Sequence, residues 1–461
     1  MNDFCTQSEE LDGQILWGIA FSAFICIIQK GEWRESMKTV KFFYAHTTQD
    51  LQVPDDTPVL TSKVDQLTSD RTGLDIVREA MENPIDSPRL CELARGKDDC
   101  VIIISDHTRP VPSKDILPNM VRELREGNPD IKITLLVSTG FHRPTTIEEL
   151  RNKLGDALYE EFKDSIVVHD AHDPSKNVKV GSLPSGPDCI IDKVAINTQL
   201  LVSEGFIEPH FFAGFSGGRK SILPGVADAV TVMGNHCSKF IDSPYSRTGI
   251  LDHNPMHEDM LAAARMAKLA YIVNVVIDED KKTVAAFAGN FETAHRKGCD
   301  FISDYVCVKP AYADIVITTN GGYPLDQNAY QSPKGMTAGE ATAKEGAVII
   351  MLASCSDGTG GDFFYHIIAD EPDIETAYQK FLATPQEKTA PDQWCSQILA
   401  RIVRKYKVIF VANEDQKDMI EGLKMEYAPS LEAAYKRARE IKGEDASLTC
   451  IPNGISVVVR E

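Results

Sequence analysis

The sequence has no CxxC pair, no HExxH and no uninterrupted apolar run of the ~20 residues that a membrane-spanning helix needs. A structural zinc site therefore has no ligand set. Its 11 cysteines are an odd number, scattered mostly in apolar runs such as those around Cys307 and Cys355. That excludes a disulfide framework and points to reduced thiols in a cytoplasmic protein. Positive charge is also short: 48 Lys and Arg stand against 68 Asp and Glu, for a formal net charge of −20 and a pI of about 5.0. Such a balance repels phosphodiester backbones and anionic lipid, so neither nucleic acid nor membrane is an expected partner. A small anionic substrate stays open, because a local cation cluster reverses the field inside a cleft. No internal repeat or low-complexity tract is present.

What remains is an ordinary globular composition, 43% hydrophobic and 25% charged, long enough at 461 residues for two or three domains. The first 36 residues stand apart. Ile15–Ile28 is apolar but short, and the acidic segment before it lacks the basic start of a signal peptide. Met37 then opens a run, Lys38–Ala45, that reads as a strand. Residues 1–36 are expected to be a non-native or disordered extension from an early start codon, the alternative being a weak membrane or partner anchor.

Beyond it, apolar β-branched runs recur at Cys100–Ser105, Lys132–Ser138, Ser165–His169, Leu200–Glu204, Tyr271–Ile277, Asp314–Thr319, Ala347–Ala353 and Lys407–Ala412. Their lack of alternation fits strands buried on both faces. Ser113–Glu126 and Thr146–Lys163 have helical periodicity. The class expected is α/β, with two domains of open, mostly parallel sheets and the active site in the cleft between them. Residues 37–310, rejoined by 442–461, form the catalytic and cofactor-binding domain, and 311–441 the second.

Ligands in such sheets sit at the carboxyl ends of strands. Asp106-His107-Thr108-Arg109 follows the first run; a helix cap accounts for Asp106 and Thr108 but not for Arg109, whose fork suits a carboxylate or phosphate. Gly140-Phe141-His142-Arg143 follows the next, and His142 is either a structural hydrogen bonder or a catalytic base. The richest loop runs from Glu208 through His210, Ser216, Gly217, Gly218 and Arg219 to Lys220. Its glycines fit a phosphate-holding nest, but Arg219 stands where a Walker A motif requires glycine. Lys220 is a candidate covalent anchor. His236, in Gly234-Asn235-His236, is a metal ligand or a structural histidine. His253 and His257, and His169 and His172, are read as structural. Asn320–Gly335 is another polar strand-tip loop, and Trp394 lines a pocket or packs in the core.

Together these loops resemble the nickel-dependent lactate racemase family, from Met37 to the C-terminus. The resemblance rests on DxTR at Asp106–Arg109, GFHR at Gly140–Arg143, EPHFFAGFSGGRKSILPG at Glu208–Gly225, GNH at Gly234–His236, GGYPLDQNxYQ at Gly321–Gln331, and Lys334. It implies a nickel-pincer nucleotide (pyridinium-3-thioamide-5-thiocarboxylic acid mononucleotide) covalently linked to Lys220. His236 would complete nickel coordination, and Ser216, Gly217, Gly218, Asp106 and Thr108 would serve cofactor binding. His142 and His210 would be the two catalytic bases, one for each enantiomer of a 2-hydroxyacid. Arg109 and Lys334 would anchor the carboxylate, with Tyr330, Gln331 and Trp394 completing the substrate pocket.

The implied activity is racemisation or epimerisation by hydride transfer to the nickel-pincer nucleotide. Lactate or a similar small monocarboxylate is the expected substrate; malate, an aromatic 2-hydroxyacid or a sugar acid is the alternative. Two rivals of other classes are a pyridoxal-phosphate racemase with Lys220 as Schiff base and a non-catalytic nucleotide-binding module. Cofactor-synthesis enzymes are implied partners, and a homo-oligomer is left open.

Overall fold

A computed structural model describes residues 36–461, so the expectation for the N-terminal extension falls on residues that, Ser36 apart, lie outside those described. Two sheets carry the fold. The first has six strands in the order Thr283–Gly289, Leu269–Ile277, Leu201–Phe206, Asp99–Ser105, Lys132–Ser138 and Ile166–Val168. All neighbours pair in parallel except the antiparallel edge strand Thr283–Gly289. Asp99–Ser105 lies in the middle with Cys100, Ile102, Ile103 and Ile104 wholly buried, which is why its run shows no alternation.

The helix Ser113–Gly127 covers one face with Ile116, Leu117, Met120, Val121 and Leu124 at helical spacing. The stretch expected as one helix over Thr146–Lys163 is two, Ile147–Leu154 and Asp156–Phe162. Gly155 between them adopts φ +77°, a left-handed conformation that ends the first helix.

The second sheet is wholly parallel, in the order Glu426–Ala428, Lys407–Val411, Ala343–Leu352, Ala313–Thr319 and Leu448–Ile451. Two parts of the chain lie elsewhere than expected. The hairpin Met37–Tyr44/Thr47–Pro54 packs Val40, Phe42, Leu51 and Val53 on Ile315, Ile317, Val348 and Ile350 of the second sheet, not on the first. At the other end, Leu448–Ile451 joins the second sheet, so the return expected from residue 442 comes later. Only Val458–Val459 returns, pairing with Cys307–Val308 and packing near Phe215 and Val276. The hairpin gives a face of the second sheet its apolar cover, and Leu448–Ile451 extends that sheet at its edge beside Ala313–Thr319.

The two units touch along one seam. Gln386 Nε2 donates to Gly234 O at 2.8 Å and Gln397 Nε2 to Ser238 O at 2.9 Å. Tyr378 OH donates to Asp242, and Arg401, paired with Glu340 at 2.7 Å, also reaches Ile241 O at 3.4 Å. Among the described residues no helix is long and apolar enough to cross a membrane.

Candidate active site

Three loops leave the carboxyl ends of adjacent parallel strands in the first sheet, where ligands of open α/β sheets sit. In the first, Asp106 is buried and both its oxygens are used. Oδ2 receives His142 Nδ1 at 2.6 Å, and Oδ1 receives the Thr108 hydroxyl at 2.8 Å and the Thr108 amide at 3.2 Å. Burial pushes the Asp106 carboxyl up, but His142, Thr108 and Arg109 together outweigh it and hold it below the usual carboxylate range. A carboxylate facing Nδ1 fixes the proton there and leaves Nε2 of the exposed His142 as a lone pair. The His142 loop is held from behind: Gly140 N–H donates to Gly225 O at 3.0 Å, and the Thr139 hydroxyl to His169 O at 2.9 Å. His169 is structural, as read, with its ring nitrogens on Asp192 Oδ2 and Ala227 O.

The long loop from Glu208 to Lys220 closes on itself. Ser216 Oγ accepts from Glu208 N at 2.9 Å and donates to Phe206 O at 3.1 Å, while Ser216 N donates to Glu208 O. Gly218 N–H donates to Asn274 Oδ1 at 2.7 Å, and a Cβ at Gly218 would strike the His295 ring. The glycines therefore serve close packing. The amides of Ser216 and Gly218 and the Ser216 hydroxyl are thus engaged within the protein itself. Arg219 is wholly buried beneath, donating to Ala213 O at 2.7 Å and Phe215 O at 2.8 Å.

Phe211 and Phe212, ring centroids 4.6 Å apart, form the floor that gathers the remaining groups. Lys220 Nζ lies 5.9 Å from the Phe212 ring, and His210 and His236 meet the same ring edge-on at 4.5 and 5.4 Å. From the second unit, Lys334 Nζ lies 5.9 Å from Phe211, and Trp394 packs edge-on against His236 at 4.9 Å. His236 Nδ1 donates to Val232 O at 3.1 Å, leaving Nε2 as a lone pair; burial, then the charge of Lys220, keeps the ring neutral with a pKa of about 3. His210 is the reverse. Its Nδ1 accepts from Ala213 N–H at 3.3 Å, so the neutral ring carries its proton on Nε2. Burial, with Lys220, Lys334, Arg109 and His236, presses its pKa well below the usual histidine range. Burial likewise lowers Lys220, helped by Arg219 and Arg109, and lowers Lys334.

Other expected residues are placed differently. Tyr330 donates its hydroxyl to Asp392 Oδ1 at 2.9 Å and stacks edge-on with Phe364. Gln331 is half-buried in the turn Ala329–Gln331, and Thr108 and Arg109 are exposed at the cleft. His142 makes no contact with the Phe211–Phe212 group. It faces the cleft from its own loop. Sequence reasoning gave no role to four residues: Glu208 and Arg219, named only as parts of the long loop, and Asn274 and His295, not singled out at all. Glu208 is exposed, yet loss of water around its carboxyl pushes it up against the pull of Arg109, Lys334, Lys281 and Lys220. Asn274 carried a signal, as the one polar residue inside the run Leu269–Ile277; His295 carried none.

Comparison with known proteins adds a second line. The lactate racemase N-terminal domain family matches residues 44–249, and the lactate racemase C-terminal domain family matches residues 308–459. The chain is 54% identical over 384 residues to a lactate racemase of Lactiplantibacillus plantarum, covering 83% of this chain and 90% of that one. It is 48% identical over 427 residues to a lactate racemase of Thermoanaerobacterium thermosaccharolyticum, covering 92% and 100%. The structure of the lactate racemase apoprotein from T. thermosaccharolyticum superposes with a TM-score of 0.87 over 92% of this chain and all of that one. A Thermotoga maritima protein, 18% identical over 84% of this chain and 98% of its own, shares the fold with a TM-score of 0.59.

Proposed function

The chain belongs to the lactate racemase family and is an isomerase, and on that premise we propose that it interconverts the enantiomers of lactate using a nickel-pincer nucleotide tethered to Lys220. The observation that carries this is the shared Phe212 ring: an amine without a hydrogen-bond partner, Lys220, and an imidazole with a free Nε2, His236, converge on it. Both fit the group. A depressed amine is a nucleophile suited to acylation, and an imidazole oriented by a backbone carbonyl is a sound nickel donor beside soft sulfur ligands. Among the described residues no cluster of three or more His, Cys, Asp or Glu is arranged to hold a metal. His236 would be a single protein donor to an ion carried by the nucleotide. When bound, the group supplies an acceptor and donor of hydride at the substrate C2.

The chain's own residues do the rest. Arg109 from the first unit and Lys334 from the second, each near enough to Glu208 to draw its carboxyl down, would be the cations for the substrate carboxylate. His142 Nε2 takes the hydroxyl proton, and Asp106 opposite Nδ1 stabilises the cation that results. His210 meets the oxygen from another side; released from the Ala213 amide and protonated on both nitrogens, it would give its Nε2 proton to that oxygen and be left a neutral ring with Nε2 bare. One turnover then moves one proton from ring to ring, so the two imidazoles exchange duties between the two directions. Trp394 and Tyr330 exclude water on the side of the second unit. Apolar aromatics beside these two cations suit a small monocarboxylate such as lactate.

The test is a panel of single-enantiomer 2-hydroxyacids incubated with protein co-produced with the cofactor-synthesis enzymes and resolved by chiral chromatography. Lactate should racemise from either side, and H142A and H210A should each abolish it. Turnover of malate or gluconate with none of lactate would overturn the substrate assignment. The described cysteines are free and eight of the nine are buried, in keeping with a cytoplasmic setting.

A further inference from the structure

We propose that Arg219 is a positioning residue for Lys220: its buried guanidinium, lacking any carboxylate partner, pins the loop from which the adjoining amine springs and disfavours a second positive charge beside it. The inference rests on reading Lys220 as the covalent anchor, but its test does not need the cofactor.

Arg219 is the largest wholly buried side chain of the described residues and precedes Lys220 in the turn Gly218–Ser221. Its partners are all neutral: the carbonyls of Ala213 and Phe215, Gly217 O at 3.4 Å, and His295 Nε2 at 3.1 Å. Its Nε has no partner at all. Burying a cation without a counter-charge is expensive, and an apolar side chain of similar volume fills such a site at lower cost. The carbonyls it binds belong to the segment between His210 and Lys220, so one guanidinium sets where both side chains start. Its charge has a consequence as well. Burial is the first cause that lowers Lys220, Arg219 the second and Arg109 the third, with only Glu208 opposing. His210, His236 and His295 are the other titratable groups around the amine, and each is disfavoured as a cation by its charge. An anchor must be deprotonated to attack, and an ordinary lysine at neutral pH is not.

The experiment uses the full-length protein made without the cofactor-synthesis enzymes, labelled with trace acetyl N-hydroxysuccinimide ester across the neutral to alkaline range. The amine nitrogen forms a bond to the acetyl carbon, the bond from that carbon to N-hydroxysuccinimide breaks, and the amine proton passes to water. Peptide mass spectrometry then gives the pH midpoint of labelling at Lys220, against Lys282, whose side chain is 74% exposed, in the same digest. Lys220 should label with a midpoint about two units below that of Lys282. R219K, which keeps the charge, should stay within about half a unit of wild type, and R219Q should rise by about one unit or more.

A wild-type midpoint equal to that of Lys282, or a Lys220 that labels at no pH, overturns the proposal, and neither result depends on a variant folding. So does a folded R219Q with the wild-type profile. Failure here leaves the anchor reading standing if cofactor-loaded protein still carries an adduct at Lys220. Normal labelling with no adduct in the loaded protein sinks the anchor and spares this inference.

Discussion

Asp106 offers a substrate or cofactor little of its own, because His142 and Thr108 already occupy its two oxygens. Its contribution is to fix which nitrogen of His142 is bare. Asp106→Asn keeps the shape but removes the carboxylate that favours Nδ1–H, so kcat for racemisation should fall by about 10²–10⁴-fold with KM little changed. Steady-state kinetics on loaded enzyme checks this, and activity within a few-fold of wild type would remove His142 from the role of base. Glu204 is a second buried carboxyl behind the same loop. Oε1 accepts from Ser113 Oγ at 2.6 Å and Ser105 N at 3.3 Å, while Oε2 has no partner. Burial raises its pKa, with Lys153 and these donors opposing. A carboxyl raised in the folded state favours folding below its unfolded value, ~4.3, and that advantage is lost as pH climbs through the raised value. Glu204→Gln retains both acceptor contacts and removes the charge. Its Tm should exceed wild type at pH 8 and the gap should close by pH 4, as thermal unfolding at the two pH values will show. Neither carboxyl could be sorted from sequence: Asp106 reads as a helix cap and Glu204 as the end of a strand, because hydrogen-bond partners 36 positions away in the first case and 91 and 99 in the second leave no local trace.

The Gly217-Gly218 turn illustrates how an element can be recognised while its packing stays hidden. A run of glycines beside serine suggests amides open to a phosphate, and the sequence carries no sign that Asn274 and His295 fill that space. Gly218 adopts φ +54°, and a Cβ there would lie 2.6 Å from His295. Gly218→Ala should therefore lower Tm by several degrees, about 2–4 °C per kcal/mol in a domain of this size, and should displace Lys220. Differential scanning calorimetry provides the measure; an unchanged Tm would mean that the loop tolerates a side chain and packs less tightly than described. The central strands were legible for the opposite reason. Asp99–Ser105, Lys132–Ser138, Ala313–Thr319 and Lys407–Val411 are buried on both faces, so burial alone dictates their composition and the ends fall within a residue or two of expectation. Leu448–Ile451 has only four residues, and the edge strand Thr283–Gly289 is half exposed; neither has enough apolar sequence to stand out.

Across the whole molecule, the site exists only because two sheets meet. The lysine and histidine that would hold the nucleotide lie on the first unit, while Lys334 and Trp394 reach in from the second. The helix leading to His236 is clamped at the seam by Gln386 and the following one by Gln397. The division into two sheets was legible because strands and helices alternate along the chain, whereas the cover lent by the hairpin Met37–Pro54 depends on contacts almost 300 residues away and was not. The most direct test of the joint site is intact-mass spectrometry of protein co-produced with the cofactor-synthesis enzymes, wild type beside Lys220→Ala. The account predicts a nucleotide-sized mass increment on wild type and none on the variant. Equal increments on both, or none on an active wild type, would contradict it.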